Sequence, residues 1–326
     1  MVHDEAEVKR RLLILMNDQS LVDEYISRFG AKIDIKHIKE IRDGRVKIPD
    51  PIEEDEIGDD PLFEIPVKCP VCENTDITCL ELRAKSQQIL QNKFLVPLYT
   101  GAKGFRTIDY TIYAVTVCPK CLFASPDRKD FGRHDISTHS DVKSQLSANC
   151  LVSIDEKRDE RKKLLKFNGN YEQYFKRPRS LEAAIDSYLL SISRAQVEAW
   201  YEIPYSLYKM GAYSLRIAKI LKDAKRDNCH YIKDALGYFE ETFKTSNCPS
   251  EEIEMQVIYS ITALYLKLGD QKKANSYIGV FNNLHNTRIT EMRTKSGLTA
   301  AIIDKWADRA KYLWEDRDTE DLFKNE

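Results

Sequence analysis

The sequence predicts an α+β fold that is mostly α. Three observations carry this. Alternating runs rich in Ile, Thr, Val and Tyr are confined to residues 62–135. Apolar residues at helical spacing occupy most of the remainder. A Cys-Pro-x-Cys step occurs twice, in "VKCPVC" and "VTVCPKC", near the two ends of the alternating region.

Residues 1–47 read as a helical segment. Leu12, Leu13, Leu15 and Met16, then Leu21, Val22, Tyr25 and Ile26, fall at helical spacing, with Ser20 as the expected cap of the second helix and Gly30 as its stop. A short helix over 33–42 is expected to close at "DGR". The apolar run near the start is shorter than a signal-peptide core or a spanning helix, so a cytoplasmic protein with no membrane insertion is expected. Residues 48–61, with seven acidic residues and three prolines, read as an acidic linker.

Residues 62–135 read as a small zinc-ribbon-like β module. "DITCLELRAK" and "DYTIYAVTVC" are its expected strands. Cys69, Cys72, Cys118 and Cys121 form two CxxC steps, separated by 45 residues. Each turn points two thiolates at one ion, and Pro70 and Pro119 pre-set φ for it. Four thiolates suit structural Zn²⁺ as the cofactor. A redox dithiol is the competing reading, although such sites normally use one CxxC at a helix N-terminus. Lys68 and Lys120 are candidates to offset the thiolate charge. Cys79 reads as a buried small hydrophobe, and His134 and His139, five apart, as surface residues.

Residues 136–326 read as a tetratricopeptide-like helical domain. "SLEAAIDSYLLSI" is amphipathic with Ser180 as its cap, and "RDERKKLLK" reads as a charged helix face. In "IYSITALYLKLGDQKKANSYIGVF", Tyr265, Gly269, Ala274 and Ile278 fall on the large, turn, small and large positions of a helix–turn–helix repeat. Ala235 with Phe239, and Ala184 with Tyr188, repeat the small–large spacing. That frame places Gln256, Tyr259, Ala263, Leu266 and Lys267 on an inner face expected to meet a partner protein.

With "VKCPVC", "YTIYAVTVCPKCLFAS" and "ALYLKLGDQKKANSYI" in view, the chain resembles the bacterial domain-of-unknown-function family 2225 over roughly residues 62–317. The resemblance implies a zinc-knuckle pair joined to tetratricopeptide-like helices, with wide spacing between the cysteine pairs. Knuckles of that family usually read CPxCG. Glu73 and Leu122 stand here where the glycine would be.

The net charge of −2 excludes a global field for nucleic acid or anionic membrane, and a chain 42% hydrophobic can bury a core. No nucleophile–base pair, phosphate-cradling glycine loop or carboxylate pair emerges, and no small-molecule substrate is evident. "TGAKG" lacks the lysine–serine/threonine ending of a nucleotide loop. The expected function is therefore a non-enzymatic adaptor binding a partner protein. The alternatives are a nucleic-acid-associated protein using the zinc module together with the basic stretches "EKRDERKKLLK" and "KRPR", and a thiol redox protein.

Overall fold

Three short helices open the chain: α1 (Glu5–Met16), α2 (Gln19–Phe29) and α3 (Ile35–Val46). The structure, a computed structural model, describes residues 5–16, 18–30, 33–46, 50–52, 54, 57–135, 140–248, 250–294, 300–319 and 322–323. Asp18, rather than Ser20, caps α2. Its carboxylate accepts from the backbone N–H groups of Ser20 at 2.8 Å and Leu21 at 3.2 Å. Gly30 stops α2, its N–H reaching Ile26 O. Helix α3 runs on through the "DGR" expected to end it. Val8, Leu12, Met16, Val22, Tyr25 and Ile38 bury one another in a core of their own.

The acidic stretch is pinned rather than free at its described residues. Ile52 N–H donates to Arg179 O at 2.9 Å, and Asp59 N–H to Gly104 O at 3.0 Å. Arg177 grips Glu54 with two nitrogens, at 3.1 and 2.6 Å, and Asp60 with the third at 2.6 Å. Arg106 pairs with Glu54 at 3.0 Å and Tyr113 OH donates to it at 2.5 Å. Two of the carboxylates that suggested a linker thus belong to a charge network with residues far along the chain.

The β module consists of antiparallel pairs: β1 (Leu62–Val67) with β2 (Ile77–Leu82), β3 (Gln87–Gln91) with β4 (Pro97–Gly101), β5 (Thr116–Val117) with β6 (Ala124–Ser125), and β7 (Arg133–Asp135) with β8 (Ser140–Val142). The strand expected at 109–118 shrinks to Thr116–Val117. Tyr110–Ile112 is instead a 3₁₀ turn capped by the Asp109 carboxylate. Thr111, Ile112, Tyr113 and Val115 are all buried, so side chains replace a strand ladder. Tyr188 OH donates to Thr111 O at 2.8 Å, and Arg179 donates to Ile112 O at 3.2 Å and Val115 O at 2.8 Å. The β7–β8 hairpin also straddles the boundary expected at 135/136.

Helices follow: α4 (Ala148–Glu156), α5 (Arg158–Leu164), α6 (Tyr171–Tyr174), α7 (Leu181–Trp200), α8 (Ser206–Asp223), α9 (Cys229–Lys244), α10 (Glu251–Lys267), α11 (Gln271–Thr294) and α12 (Ala300–Glu315). Ser180 caps α7 as expected, accepting from Ala183 N–H at 3.1 Å. From α7 to α12 each helix packs on the next. Gly211 permits the closest approach, since a Cβ there would lie 2.7 Å from the Phe239 ring. Gly269, at φ 81°, turns the chain between α10 and α11.

Three cores join the halves; one packs Val67 and Phe123 against Ile154 of α4 and Val197 of α7. Leu62, Ile112, Tyr113, Val117 and Leu122 of the β module pack with Ala184, Tyr188 and Ile217 of α7 and α8. Phe94 and Val96, from the β3–β4 turn, enter the core of α8–α12. Two-stranded sheets bury too little to stand alone, and these shared cores supply their missing cover. Among the described residues, no helix is long and apolar enough to cross a membrane.

Helix α7 also buries a carboxyl. Asp186 accepts from Tyr174 OH at 2.8 Å, and burial pushes its pKa up to about 6 against the lowering effect of that hydrogen bond. The folded pKa exceeds the unfolded value of about 3.9, so this group's stabilisation is complete below about pH 4 and is lost as pH rises through about 6. Asp186→Asn is expected to remove this dependence and to raise stability at pH 7 by about 1–3 kcal/mol. Denaturant melts of both proteins from pH 4 to 7 check it. Parallel pH profiles for the two would contradict it.

Candidate metal centre

Both CxxC steps fold into the same turn. Cys69 N–H donates to Asn74 O at 2.8 Å, and Glu73 N–H returns to Cys69 O at 3.1 Å. In the second, Cys118 N–H donates to Phe123 O at 2.8 Å and Leu122 N–H to Cys118 O at 2.8 Å. Each turn needs a left-handed residue after its second cysteine. Glu73 (φ 58°) and Leu122 (φ 60°) adopt that conformation without being glycine, at roughly 1 kcal/mol each. The turns hang on β1 and on the β5–β6 hairpin, and β2 lies beside β5. The 45 residues between the pairs are therefore no obstacle: they form β2, β3, β4 and the return to β5.

The four sulfurs converge. Cys69 Sγ lies 3.4 Å from Cys121 Sγ, and Cys72 Sγ lies 3.5 Å from Cys118 Sγ. All four lie within 4.8 Å of one another and can hold a metal ion. None is in a disulfide; Cys69, Cys118 and Cys121 are buried and Cys72 is half-buried. Hydrogen bonds from Cys121 and Cys69 pull the Cys118 thiol far below the usual thiol range. Its low value leaves Cys121 raised by the hydrogen bonds to Cys118 and Cys69. Asn74 Nδ2 also points to Cys118 Sγ, at 4.0 Å.

Apolar side chains pack round the three buried sulfurs. Phe123 and Phe131 meet edge-on at 5.1 Å, and Val67, Ile77, Ile154 and Val197 pack round them. Cys79 is buried here, as expected of a small hydrophobe, and burial pushes its thiol up to about 11. Cys150, on α4, had no sequence signal and is fully buried among the same side chains.

The buried positive charge comes from an unexpected place. Lys120 is exposed, and Lys68, also exposed, pairs with Glu73 at 3.6 Å. Arg161 of α5, inside the stretch read as a charged helix face, is only 1% exposed, and its guanidinium donates to Cys121 O at 2.8 Å. One signal could have found it: Arg161 lies seven residues after Ile154 and four before Leu165, both apolar, which is helical spacing in the sequence. A second buried network ties the module to α7 and α8. Arg194 bonds Asp130 and pairs with Glu198 at 3.0 Å, Lys209 pairs with Glu198 at 2.9 Å, and Ser125 OH donates to Asp130 at 2.6 Å.

The other sequence-derived sites fare differently. From Val257 to Leu266 every residue of α10 is buried, so that stretch is covered all round. Tyr259 is buried edge-on against Trp306 of α12 at 5.7 Å, and Ala263 and Leu266 are buried. Lys267 Nζ donates to Phe323 O at 3.2 Å, and Gln256 accepts from Tyr208 OH at 3.2 Å. The face expected to receive a partner is therefore engaged by the chain itself, by Tyr208 of α8 at Gln256 and by the C-terminal segment at Tyr259 and Lys267. In the basic stretches, Arg158 pairs with Asp155, Arg177 with Glu54 and Asp60, and Arg161 and Arg179 are buried. His139 and the side chain of His134 lie outside the described residues.

The model of domain-of-unknown-function family 2225, described as an uncharacterized protein conserved in bacteria, matches residues 62–307. The match begins at the first residue of β1 and ends inside α12. No curated protein and no solved structure matches the chain.

The two left-handed positions should respond oppositely to glycine. Glu73 is exposed, so Glu73→Gly is expected to stabilise by about 0.5–1 kcal/mol through relief of strain. Leu122 is 3% exposed in the shared core, so Leu122→Gly is expected to destabilise by about 2 kcal/mol or more despite the same relief. Denaturant midpoints of the two variants check this, and shifts of equal sign would contradict it. Tyr259→Ala is expected to cost about 3 kcal/mol, as a buried aromatic does. A melting temperature unchanged within a degree would return Tyr259 to the surface.

Proposed function

This chain belongs to domain-of-unknown-function family 2225, and we propose that it is a non-enzymatic, zinc-stapled scaffold that binds a partner protein. The observation that carries this reading is the closed set of four converging sulfurs. Four protein ligands leave no open position for a water or substrate, which is the arrangement of structural rather than catalytic zinc. An ion about 2.3 Å from each sulfur in a tetrahedron sets the sulfurs about 3.8 Å apart. The separations of 3.4 and 3.5 Å, with all pairs inside 4.8 Å, bracket that edge. Thiolates are soft ligands and favour Zn²⁺ over Mg²⁺ or Ca²⁺. A cytoplasmic home fits, because a reducing compartment keeps such thiols available to a metal.

Partner binding rests on the helical body. Ala235 with Phe239 and Ala274 with Ile278 pack helix on helix, as tetratricopeptide-like pairs do. With the inner face of α10 covered, the surface offered lies where α7 ends. Trp200 is 66% exposed, with Lys157 Nζ 3.4 Å above its ring. Tyr201 OH and Ser153 OH are 2.7 Å apart, and Val152 is exposed beside them. Exposed Trp and Tyr are the anchors on which interface energy concentrates. The nucleic-acid alternative is weakened by the engagement of its arginines. The redox alternative needs an accessible low-pKa thiol, and Cys69, Cys118 and Cys121 are buried.

Elemental analysis of protein purified without chelators is expected to return one zinc per chain, and Cys118→Ser is expected to lose it. Less than about a tenth of an equivalent of any metal, with every thiol titratable, would contradict the metal reading. A protein that co-purifies with the native chain is expected to be lost from Trp200→Ala with Tyr201→Ala, at an unchanged melting temperature. Its retention would remove that surface and leave the zinc reading intact.

A further inference from the structure

Arg161 poses an electrostatic problem. A guanidinium stays charged at any physiological pH, and burying one without an anion costs several kcal/mol. Arg161 is 1% exposed. Its two terminal nitrogens donate to Ile154 O and Cys121 O, which are carbonyl dipoles and not charges. Its Nε has no hydrogen-bond partner, and no carboxylate forms an ion pair with it among the described residues. Arg194, another buried arginine beside the module, has Asp130 and Glu198. Of the negative charges that oppose the effect of burial on it, Cys121 leads, ahead of Asp155 and Cys69, and Asp155 is itself paired with Arg158 at 2.7 Å.

We infer that Arg161 is the counter-charge of the cysteine centre, a positioning residue in its outer sphere that belongs to the helical half of the chain. This rests on the reading that the four cysteines hold a dication. Four thiolates around a dication carry a net charge of about −2 among apolar side chains, and one buried guanidinium offsets half of it. The ligands come from residues 69–121, whereas the counter-charge comes from α5, 40 residues beyond Cys121. The same side chain also satisfies a last-turn carbonyl of α4, Ile154 O. Metal binding and the docking of α4–α5 therefore favour each other, and by linkage each strengthens the other by the same factor.

The test is the zinc affinity of the full-length chain by competition with a chromophoric chelator. Arg161→Gln keeps hydrogen bonding and removes the charge; Arg161→Lys keeps the charge. Arg161→Gln is expected to bind zinc about 10–100-fold more weakly, the usual effect of losing an outer-sphere partner. Arg161→Lys is expected within about fivefold of the native chain. Arg179→Met is the control, because Arg179 is buried and bonded to carbonyls with tyrosines rather than cysteines about it. It is expected to melt earlier with affinity within about threefold, since it leaves the outer sphere intact. Native-like affinity in Arg161→Gln would overturn the inference, as would equal losses in Arg161→Gln and Arg161→Lys, or in Arg161→Gln and Arg179→Met. A native chain that binds no zinc would overturn the metal reading itself, before any variant is compared.

Discussion

Four thiols whose sulfurs all lie within 4.8 Å of one another cannot behave as four independent acids. One proton donor more or fewer among them changes the charge of a buried site, and a buried charge is the most costly thing a small module can carry. The paired turns at Cys69–Asn74 and Cys118–Phe123 impose this crowding through backbone hydrogen bonds, so it is a property of the fold. Glu73 and Leu122 accept left-handed strain to keep the turns. What surrounds the sulfurs answers the same electrostatic demand: aromatic rings exclude water, Asn74 turns its amide towards one sulfur, and a guanidinium reaches in from a helix.

The module cannot meet that demand alone. Its sheets are two-stranded, and its apolar side chains finish their packing on α7 and α8. The buried Asp130–Arg194–Glu198–Lys209 chain crosses the same junction with two charges of each sign. Removing one member would leave an uncompensated buried charge, which costs more than the whole network gains. The joint is thus built twice, once in hydrocarbon and once in charge. The β module and the helices share these contacts, and Glu54 and Asp60 extend them into the acidic stretch.

Much of this was legible in the sequence. The pairing of the two CxxC steps into one cluster, the α+β class, the Ser180 cap and the Gly269 turn all rest on local chemistry: a repeated step, a period, a cap, a positive φ. What escaped depends on long-range partners. "DYTIYAVTVC" alternates like a strand, yet its carbonyls are satisfied by Tyr188 and Arg179, more than sixty residues away. "RDERKKLLK" looks like a solvated face, and only burial singles out Arg161 within it. Tyr259 looked available because a repeat frame knows its own two helices and not the one that closes over them, here α12 with Trp306.

In the proposed account one metal centre holds the β module and helices α4 and α5 together. Amide hydrogen exchange of the native chain before and after chelation tests it most directly. The expected result is faster exchange in the two turns, 69–74 and 118–123, and equally in α4 and α5, with α9–α11 unchanged. Faster exchange confined to the two turns, with α4 and α5 as protected as before, would contradict it.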